Sequence, residues 1–135
     1  MKIGLYPMVA DVIHAGHMIA LEEAKSKCDY LIVALYCCPS YKKPIQSIYE
    51  RFTQLRAIKF IDEVVPFQDT EDFRRMLLSI RYDTYFLGAD YIGKSWENVD
   101  VIKDTNKEII YLTRQHNMSS SSLKDRICSE RGDKE

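Results

Sequence analysis

The sequence lacks the features that would place this chain in a membrane, on a secretory route or on nucleic acid. No apolar run approaches the length of about 20 residues that a transmembrane helix needs. The N-terminal segment Met1–Pro7 is too short for a signal peptide and is interpreted as a first strand. A surplus of one charge is also missing, since 19 Lys+Arg face 20 Asp+Glu. Nucleic acids and anionic membranes attract basic proteins, so we expect neither as a partner.

Cysteines in a metal-binding pattern are missing too. The four cysteines are Cys28, Cys37, Cys38 and Cys128, and the adjacent pair fits no zinc-ligand spacing. Nothing in the sequence points to secretion, so we expect reduced thiols with structural roles in a cytoplasmic protein. No internal repeat or linker divides the chain. Its 135 residues, 46% of them hydrophobic, are enough for one domain with a real core.

Short β-rich runs alternate with segments of helical periodicity along the whole chain. Ser122, followed three residues later by Asp125, is a candidate start signal for the last helix. The predicted strands are Lys2–Tyr6, Tyr30–Tyr36, Glu63–Pro66, Thr84–Leu87 and Glu108–Leu112. The predicted helices are Gly16–Lys27, Ser47–Lys59, Thr70–Ile80 and one that begins near Ser119.

This alternation predicts an α/β fold in which a parallel sheet carries helices on both faces. We expect a single-domain, Rossmann-like sheet of five strands in the order 3-2-1-4-5. The domain is predicted to cover residues 1–128, with a polar C-terminal tail over 129–135. Ligands of such sheets bind beyond the carboxyl ends of the strands, where the strand order reverses. The informative residues should therefore follow strands one, four and five.

Two histidines follow the first strand, in His14-Ala15-Gly16-His17. At a helix start, residues three apart share a face, so both imidazoles can point at one ligand. Gly16 lets a backbone approach closely, and the helix N-terminus adds N–H groups and partial positive charge. These features predict a polyphosphate site. Two surface histidines, or one histidine that caps the helix, remain open alternatives, whereas a zinc site lacks a third ligand.

Two more segments lie where such a ligand would be. After strand five, Arg114 precedes Ser119, Ser120 and Ser121 at a predicted helix start, and an arginine with hydroxyls and N–H groups binds phosphate oxygens. After strand four, Gly88 allows close approach of a base, and Asp90 can accept from a hydroxyl or help to hold a metal. Taken alone, the serine run could be an ordinary polar loop, and the Gly-x-Asp turn could simply end a strand.

The run Asp11–His17 resembles the signature of the HxGH nucleotidyltransferases, and in particular of the small cytidylyltransferases that include the glycerol-3-phosphate enzymes. The segment Thr113–Lys124 resembles that family's RTEGISTT segment. Phe86–Lys94 resembles its stretch beside the nucleotide base and ribose, and Ser47–Val65 resembles its helix leading into an RYVDEV strand. The resemblance covers roughly residues 2–127, with its motifs in the right order.

The resemblance implies transfer of CMP from CTP to a small phosphorylated alcohol with release of pyrophosphate. It implies Mg²⁺ as cofactor. It also implies a homodimer, to whose interface Trp96 and the tyrosines could contribute. It implies catalytic roles for His14, His17, Lys42 and Arg114. It implies nucleotide binding by Met8, Val9, Ala10, Asp11, Gly16, Gly88, Asp90, Met118, Ser119, Ser120 and Ser121. It implies substrate binding by Arg51, Lys59 and His116, and metal binding by Asp11 and Asp90. For Lys42 and His116, an exposed loop side chain is the open alternative.

The sequence also departs from the family's pattern. Met8-Val9-Ala10 replaces Gly-Thr-Phe before Asp11, His116 and Asn117 replace Glu and Gly, and Lys59 stands where arginine is usual. Arginine and lysine are not equivalent at bidentate phosphate sites. The identity of the acceptor therefore stays open. Two alternative functions also stay open: an adenylyltransferase acting on a sugar or pantetheine phosphate, and a regulatory module that binds nucleotide without turnover. A fragment of a class I aminoacyl-tRNA synthetase is disfavoured by the short chain and its balanced charge.

Overall fold

The computed structural model describes residues 1–113 and 120–133. Its strands are β1 (Ile3–Met8), β2 (Tyr30–Tyr36), β3 (Glu63–Phe67), β4 (Thr84–Gly88) and β5 (Glu108–Leu112). Its helices are α1 (Ala15–Ser26), α2 (Ile48–Arg56), α3 (Thr70–Ser79), α4 (Val99–Asp104) and α5 (Ser120–Asp133), with a short 3₁₀ turn at Ala89–Tyr91. No helix within the described ranges is both long and apolar enough to cross a bilayer.

The five strands form one sheet in the order β3-β2-β1-β4-β5, and every neighbouring pair is parallel. The predicted fold is thereby confirmed. β1 lies at the centre, paired with β2 along its whole length, from Ile3 opposite Tyr30 to Met8 opposite Leu35. On its other side it pairs with β4. The strand order reverses between β1 and β4, so their carboxyl ends form the crevice where ligands of such sheets bind.

Helices cover both faces of the sheet because the strands are apolar on both sides. Leu31, Val33 and Leu35 of β2 belong to one core cluster with Leu21 of α1 and Leu55 of α2. The alternate β2 residues Ile32, Ala34 and Tyr36 belong to a second cluster, with side chains of α3 and α4. Successive strand residues point to opposite faces. The continuous apolar run of β2 therefore has the double burial that its sequence predicts.

The chain between β4 and β5 differs from the sequence-based expectation, which assigned no element there. α4 is only six residues long, too short for a periodic pattern to show. Its position depends on tertiary contacts: Asn98 donates from Nδ2 to the carbonyl of Thr70, and Arg74 pairs with Asp100 at 3.0 Å. These contacts join the start of α4 to α3.

Two helix ends also differ from the prediction. α2 begins after Ser47, which caps it reciprocally with Glu50, and it ends at Arg56, earlier than the predicted Lys59. α5 already includes Ser122, so the pair Ser122 and Asp125 lies inside the helix and does not start it. α5 also continues to Asp133, across the proposed boundary after residue 128. The division into domain and tail stays a prediction.

Candidate active site

A cavity of about 560 Å³ lies at the carboxyl ends of β1, β2, β3 and β4. This volume is in the range of small-molecule and cofactor sites. The cavity adjoins the point where the strand order reverses, as ligand sites do in parallel sheets. The predicted site residues that line it are Met8, Val9, Ala10, Asp11, His17, Lys42 and Gly88.

The two histidines form the N-terminal capping box of α1. His14 is the N-cap residue, and its Nδ1 accepts a hydrogen bond from the Gly16 N–H at 2.9 Å. The His17 Nδ1 accepts from the His14 N–H at 3.2 Å. Their ring centroids are 4.3 Å apart, and His17 lines the cavity. Capping and ligand binding, which appear as alternatives in the sequence, are compatible here because each uses a different ring nitrogen.

The capping box also determines which imidazole nitrogen can donate. A neutral imidazole carries one N–H, and the nitrogen that accepts a hydrogen bond cannot carry it. Because Nδ1 accepts from the backbone in both His14 and His17, the proton of each neutral ring lies on Nε2. The start of α1 therefore holds two neighbouring imidazoles with Nε2–H donors, and that of His17 belongs to a residue that lines the cavity. That arrangement suits phosphate oxygens.

Asp11 joins the histidine loop to two other segments. Its side chain is only 3% exposed. Oδ2 accepts from the Ile45 N–H at 3.0 Å, and Oδ1 accepts from the Gln46 N–H at 2.9 Å. Oδ2 also pairs with Nζ of Lys124, in α5, at 3.0 Å. One carboxylate thus connects the loop after β1, the loop before α2 and the last helix.

The charge of Asp11 is stabilised by these contacts. Burial alone raises the pKa of the Asp11 carboxyl, but the two backbone N–H groups and Lys124 outweigh it, so the pKa lies below its ordinary value. A metal ion on Oδ2 would have to compete with the Lys124 ammonium. The predicted role of Asp11 as a metal ligand stays a prediction.

The loop between β1 and α1 has strained backbone angles and is held in place by hydrogen bonds. Ala10 and Val12 have positive φ angles of 58° and 55°, in the left-handed region that β-branched residues rarely adopt. Such a residue costs on the order of 1–3 kcal/mol, so surrounding contacts must hold it in place. The Val12 N–H donates to Oε1 of Gln46 at 2.8 Å, beside the bonds that Asp11 makes to the same loop. The loop is therefore fixed before any ligand binds.

Arg51 has a different position from the one predicted. Its side chain is 2% exposed. The guanidinium donates to backbone carbonyls of Gln46 at 3.2 Å, Val9 at 3.0 Å, Tyr36 at 2.7 Å and Cys37 at 2.9 Å. The predicted contact with substrate is therefore replaced by a bond network that ties the ends of β1 and β2 to α2. Arginine suits this role because its planar fork carries five N–H donors.

Lys59 does not reach the cavity. It lies in the connection from α2 to β3, at the amino end of the strands, and its Nζ sits 5.2 Å from the centroid of the Phe60 ring. The cavity occupies the opposite edge of the sheet, and Lys59 is not among its lining residues, so a substrate contact by Lys59 stays a prediction without support from this cavity. Asp90 is exposed in the 3₁₀ turn after β4, next to the cavity-lining Tyr91. A side chain added at Gly88 would meet no atom within 4 Å, which leaves room for a ligand above β4.

Part of the predicted phosphate site lies outside the described residues, namely Arg114, His116, Met118 and Ser119. The backbone of Ser120 and Ser121 forms the first residues of α5. The described chain on either side contacts α1 and the loop before it: the Thr113 N–H donates to Glu23, in the second half of α1, at 2.9 Å, and Lys124 pairs with Asp11. The predicted convergence of Arg114 and the serine run on the histidines stays a prediction.

Sequence reasoning missed the aromatic side of the cavity. Eight Phe, Tyr and Trp rings line it, and six of them form a chain of ring contacts that we call the aromatic arc: Tyr36, Tyr41, Phe67, Phe73, Tyr85 and Trp96. Tyr36 and Phe67 are the last residues of β2 and β3, so their place at the carboxyl edge of the sheet was a usable signal. The others gave none, because their convergence depends on how α3 and the chain around α4 pack. Trp96 stacks on Tyr85 in this wall, and its expected part in a subunit interface stays a prediction.

Comparison with known proteins gives consistent matches. Residues 5–126 match the family model described as Cytidylyltransferase-like. A glycerol-3-phosphate cytidylyltransferase of Bacillus subtilis (strain 168) is 32% identical over 121 residues, which cover 87% of this chain and 90% of the relative. The bifunctional protein HldE of Nitrosococcus oceani is 32% identical over 123 residues, which cover 87% of this chain but 26% of that protein.

A solved structure supports the fold. The lipopolysaccharide core biosynthesis protein from Thermoplasma volcanium GSS1 superposes with a TM-score of 0.72 at 21% identity, over 86% of this chain and 99% of that one. At this identity the likeness concerns the architecture alone.

Proposed function

Because this chain belongs to the cytidylyltransferase-like family, and is therefore a nucleotidyltransferase, we propose that it transfers CMP from CTP to a small phosphorylated alcohol and releases pyrophosphate. The acceptor phosphate oxygen attacks the α-phosphorus, and the bond from that phosphorus to the oxygen bridging to the β-phosphate breaks. No covalent intermediate on the protein is needed, since positioning and charge stabilisation suffice for such transfers.

The observation that carries the proposal is the histidine capping box at the edge of the cavity. Its two Nε2–H donors lie side by side and their Nδ1 atoms are held by the backbone. Donors that are fixed before the reaction stabilise charge that develops on phosphate oxygens. In the proposal Lys42, which lines the same cavity, and Arg114 neutralise the β,γ-phosphates, and Ser119, Ser120 and Ser121 hold the end of the triphosphate.

The proposal includes a divalent cation, Mg²⁺, carried by the triphosphate. The described residues contain no cluster of three or more His, Cys, Asp or Glu side chains suited to a metal. Mg²⁺ is commonly bound through substrate phosphates with only one or two carboxylates, and Asp90 or Asp11 could supply one. When bound, the ion would neutralise charge on the phosphate oxygens.

A turnover assay with both nucleotides tests the proposal. The protein would be mixed with Mg²⁺, CTP or ATP, and a panel of phosphorylated polyols and amino alcohols. Pyrophosphate release and the ³¹P spectrum of the product would be recorded. We expect a pyrophosphate-linked signal of a CDP-containing product with CTP and one acceptor class. Turnover with ATP alone would overturn the choice of nucleotide.

Calorimetric titration separates an enzyme from a binding module. Tight CTP binding without pyrophosphate release, for every acceptor in the panel, would favour a regulatory module over the transferase. The proposal also places the protein in the cytoplasm, in keeping with its four free cysteines, and as a homodimer, as the sequence resemblance implies.

A further inference from the structure

The hydrogen bonds that hold the histidine loop, residues 9–14 between β1 and α1, meet at Gln46. The Gln46 N–H donates to Oδ1 of Asp11 at 2.9 Å, and its side-chain Oε1 accepts from the Val12 N–H at 2.8 Å. Its carbonyl accepts from Nε of Arg51 at 3.2 Å. One half-buried residue of the loop before α2 therefore uses its backbone N–H, its carbonyl and its side chain to hold the surroundings of the histidines.

These hydrogen bonds form a closed ring. Gln46 directly precedes Ser47, which caps α2, so the start of that helix fixes its place in the chain. Arg51, in the same helix, joins the Gln46 carbonyl to the Val9 carbonyl, to which its Nη1 donates at 3.0 Å. Val9 begins the histidine loop, and the loop returns to Gln46 at Val12. Because hydrogen bonds depend steeply on distance and angle, neither segment of this ring can move far without the other.

The Val12 backbone conformation needs this support. Its φ of 55° lies in the left-handed region, which β-branched residues rarely adopt and which costs on the order of 1–3 kcal/mol. Neither core cluster of the described chain includes Val12, and the hydrogen bond from its N–H to Gln46 opposes that cost. His14, the N-cap of α1, follows two residues later. A change in the Val12 backbone angles would therefore redirect the chain where it enters the capping box.

The loop that contains Gln46 also carries Lys42. The Lys42 side chain lines the cavity, in the same connection between β2 and α2. Gln46 therefore connects the loop that holds this cation to the loop that leads to the imidazoles. Groups that act on one triphosphate must keep their separation, because a displacement of about 1 Å can cost about a hundredfold in rate.

We propose that Gln46 is a positioning residue for the nucleotidyl transfer, which holds Val12 in its left-handed conformation and so sets the place of the histidine pair relative to Lys42. It acts through the loop and needs no contact with substrate. An uncharged amide suits this position, because Oε1 accepts from Val12 while the N–H of the same residue binds the Asp11 carboxylate. Glutamate would bring a second negative charge towards Asp11, and lysine would offer no acceptor. This inference rests on the proposed function.

Removal of the side-chain acceptor tests the assignment. Gln46→Met keeps an unbranched side chain of similar length and both backbone hydrogen bonds, and it loses the bond from the Val12 N–H. We expect kcat for pyrophosphate release to fall about tenfold, with KM for CTP changed less than about twofold, since the imidazole donors act on charge that develops during transfer. Gln54→Met, at an exposed glutamine of α2, is the matched control and should leave both values unchanged. An unchanged kcat in Gln46→Met would overturn the inference.

A second substitution separates positioning from a general loss of structure. Glycine adopts positive φ angles without a steric cost, so Val12→Gly reduces the support that the loop requires. The fall in kcat caused by Gln46→Met should therefore be at least about threefold smaller in the Val12→Gly background than in the parent protein. An equal fall in both backgrounds would mean that Gln46 does not act through Val12, and the assigned role would be wrong.

Amide hydrogen exchange provides a measurement that does not need turnover. The His14 N–H donates to Nδ1 of His17, and the Gly16 N–H donates to Nδ1 of His14, so neither bond includes Gln46. In Gln46→Met both amides should exchange at least about threefold faster, because the capping box opens more often, whereas Gln54→Met should leave them unchanged. Faster exchange without pyrophosphate release from any acceptor would support the positioning role and contradict nucleotidyl transfer. Normal turnover with unchanged exchange would do the reverse.

Discussion

At the histidine end of the cavity, a few polar side chains carry many hydrogen bonds to the backbone. Arg51 donates to four carbonyls, Asp11 accepts from two N–H groups, and His14 and His17 accept one N–H each. At the other end, the aromatic arc is held by contacts between rings. Hydrogen bonds depend steeply on distance and angle, whereas apolar packing depends mainly on volume and shape.

The two ends of the cavity are therefore held in different ways, one by hydrogen bonds and one by packing. A hydrogen-bonded frame keeps donors in place to within a fraction of an ångström, which phosphate transfer requires. A packed wall can accept other apolar side chains of similar volume without disturbing that frame. We therefore expect substitutions at the histidine end to reduce turnover or stability, and substitutions of similar volume in the arc to be tolerated.

The largest expected effect comes from removing the imidazoles while keeping the capping box. Asn is a good N-cap, and Gln at the third helical position completes the box, so His14→Asn and His17→Gln retain helix contacts of the same kind. Each variant replaces the imidazole Nε2–H by an amide N–H in a different position, which should lower kcat about a thousandfold. Initial rates of pyrophosphate release, alongside urea unfolding, would measure this.

A capping control belongs with these variants. His14→Ala removes the cap as well as the donor, and it should cost about 1 kcal/mol of stability that His14→Asn does not. Should His14→Asn and His17→Gln turn over at near-normal rates, the histidines would be capping residues only and the proposed mechanism would fall.

The second-largest expected effect comes from removing the Arg51 guanidinium, whose hydrogen bonds form the frame at the histidine end. Arg51→Met removes all the guanidinium bonds and leaves four backbone carbonyls at the meeting point of β1, β2 and α2 without that partner. Each buried acceptor left unsatisfied costs about 1–3 kcal/mol, so we expect a loss of at least about 3 kcal/mol. Urea denaturation would measure it. Arg56→Met, at an exposed arginine of the same helix, should change stability by less than about 0.5 kcal/mol. Comparable losses in both variants would mean that α2, and not the guanidinium frame, determines the result.

The histidine end and the aromatic end of the cavity also differ in how much of their structure the sequence predicts. The parallel sheet and the histidine pair follow from local patterns, because the strand–helix alternation and the three-residue spacing of His14 and His17 are contained in short segments. The role of Arg51 could not be predicted, since burial of an arginine depends on carbonyls contributed by three separate segments. A polar residue on a helix looks the same in sequence whether it faces substrate or backbone.

The aromatic arc could be predicted even less well from the sequence. Its residues lie between positions 36 and 96 with no common spacing, and only the folded sheet and α3 bring them together. Apolar and aromatic residues at strand ends are ordinary core residues in most proteins. A ring becomes part of a site only through the open volume beside it, and that volume depends on tertiary packing.

The smallest expected effect tests the link between the histidine loop and α5. Asp11→Asn keeps a side-chain oxygen for one backbone N–H but loses the charge that pairs with Lys124. We expect a loss of about 1–2 kcal/mol at pH 7 and a moderate rise in KM for CTP. Asp125→Asn, an exposed carboxylate next to Lys124 on α5, changes the net charge equally and should leave both values unchanged.

The pH dependence of this loss follows from the lowered pKa of Asp11. Because the pKa is lower in the folded protein than in the unfolded chain, the carboxylate contributes stability above about pH 4. That contribution is lost as the pH falls through the folded-state value. The stability difference between the parent protein and Asp11→Asn should therefore be constant from pH 7 to pH 5 and shrink below about pH 4. Urea unfolding across this range measures it. A difference that stays unchanged in acid would mean that Asp11 joins these segments by shape and not by charge, so the histidine end would be held by packing, as the aromatic arc is.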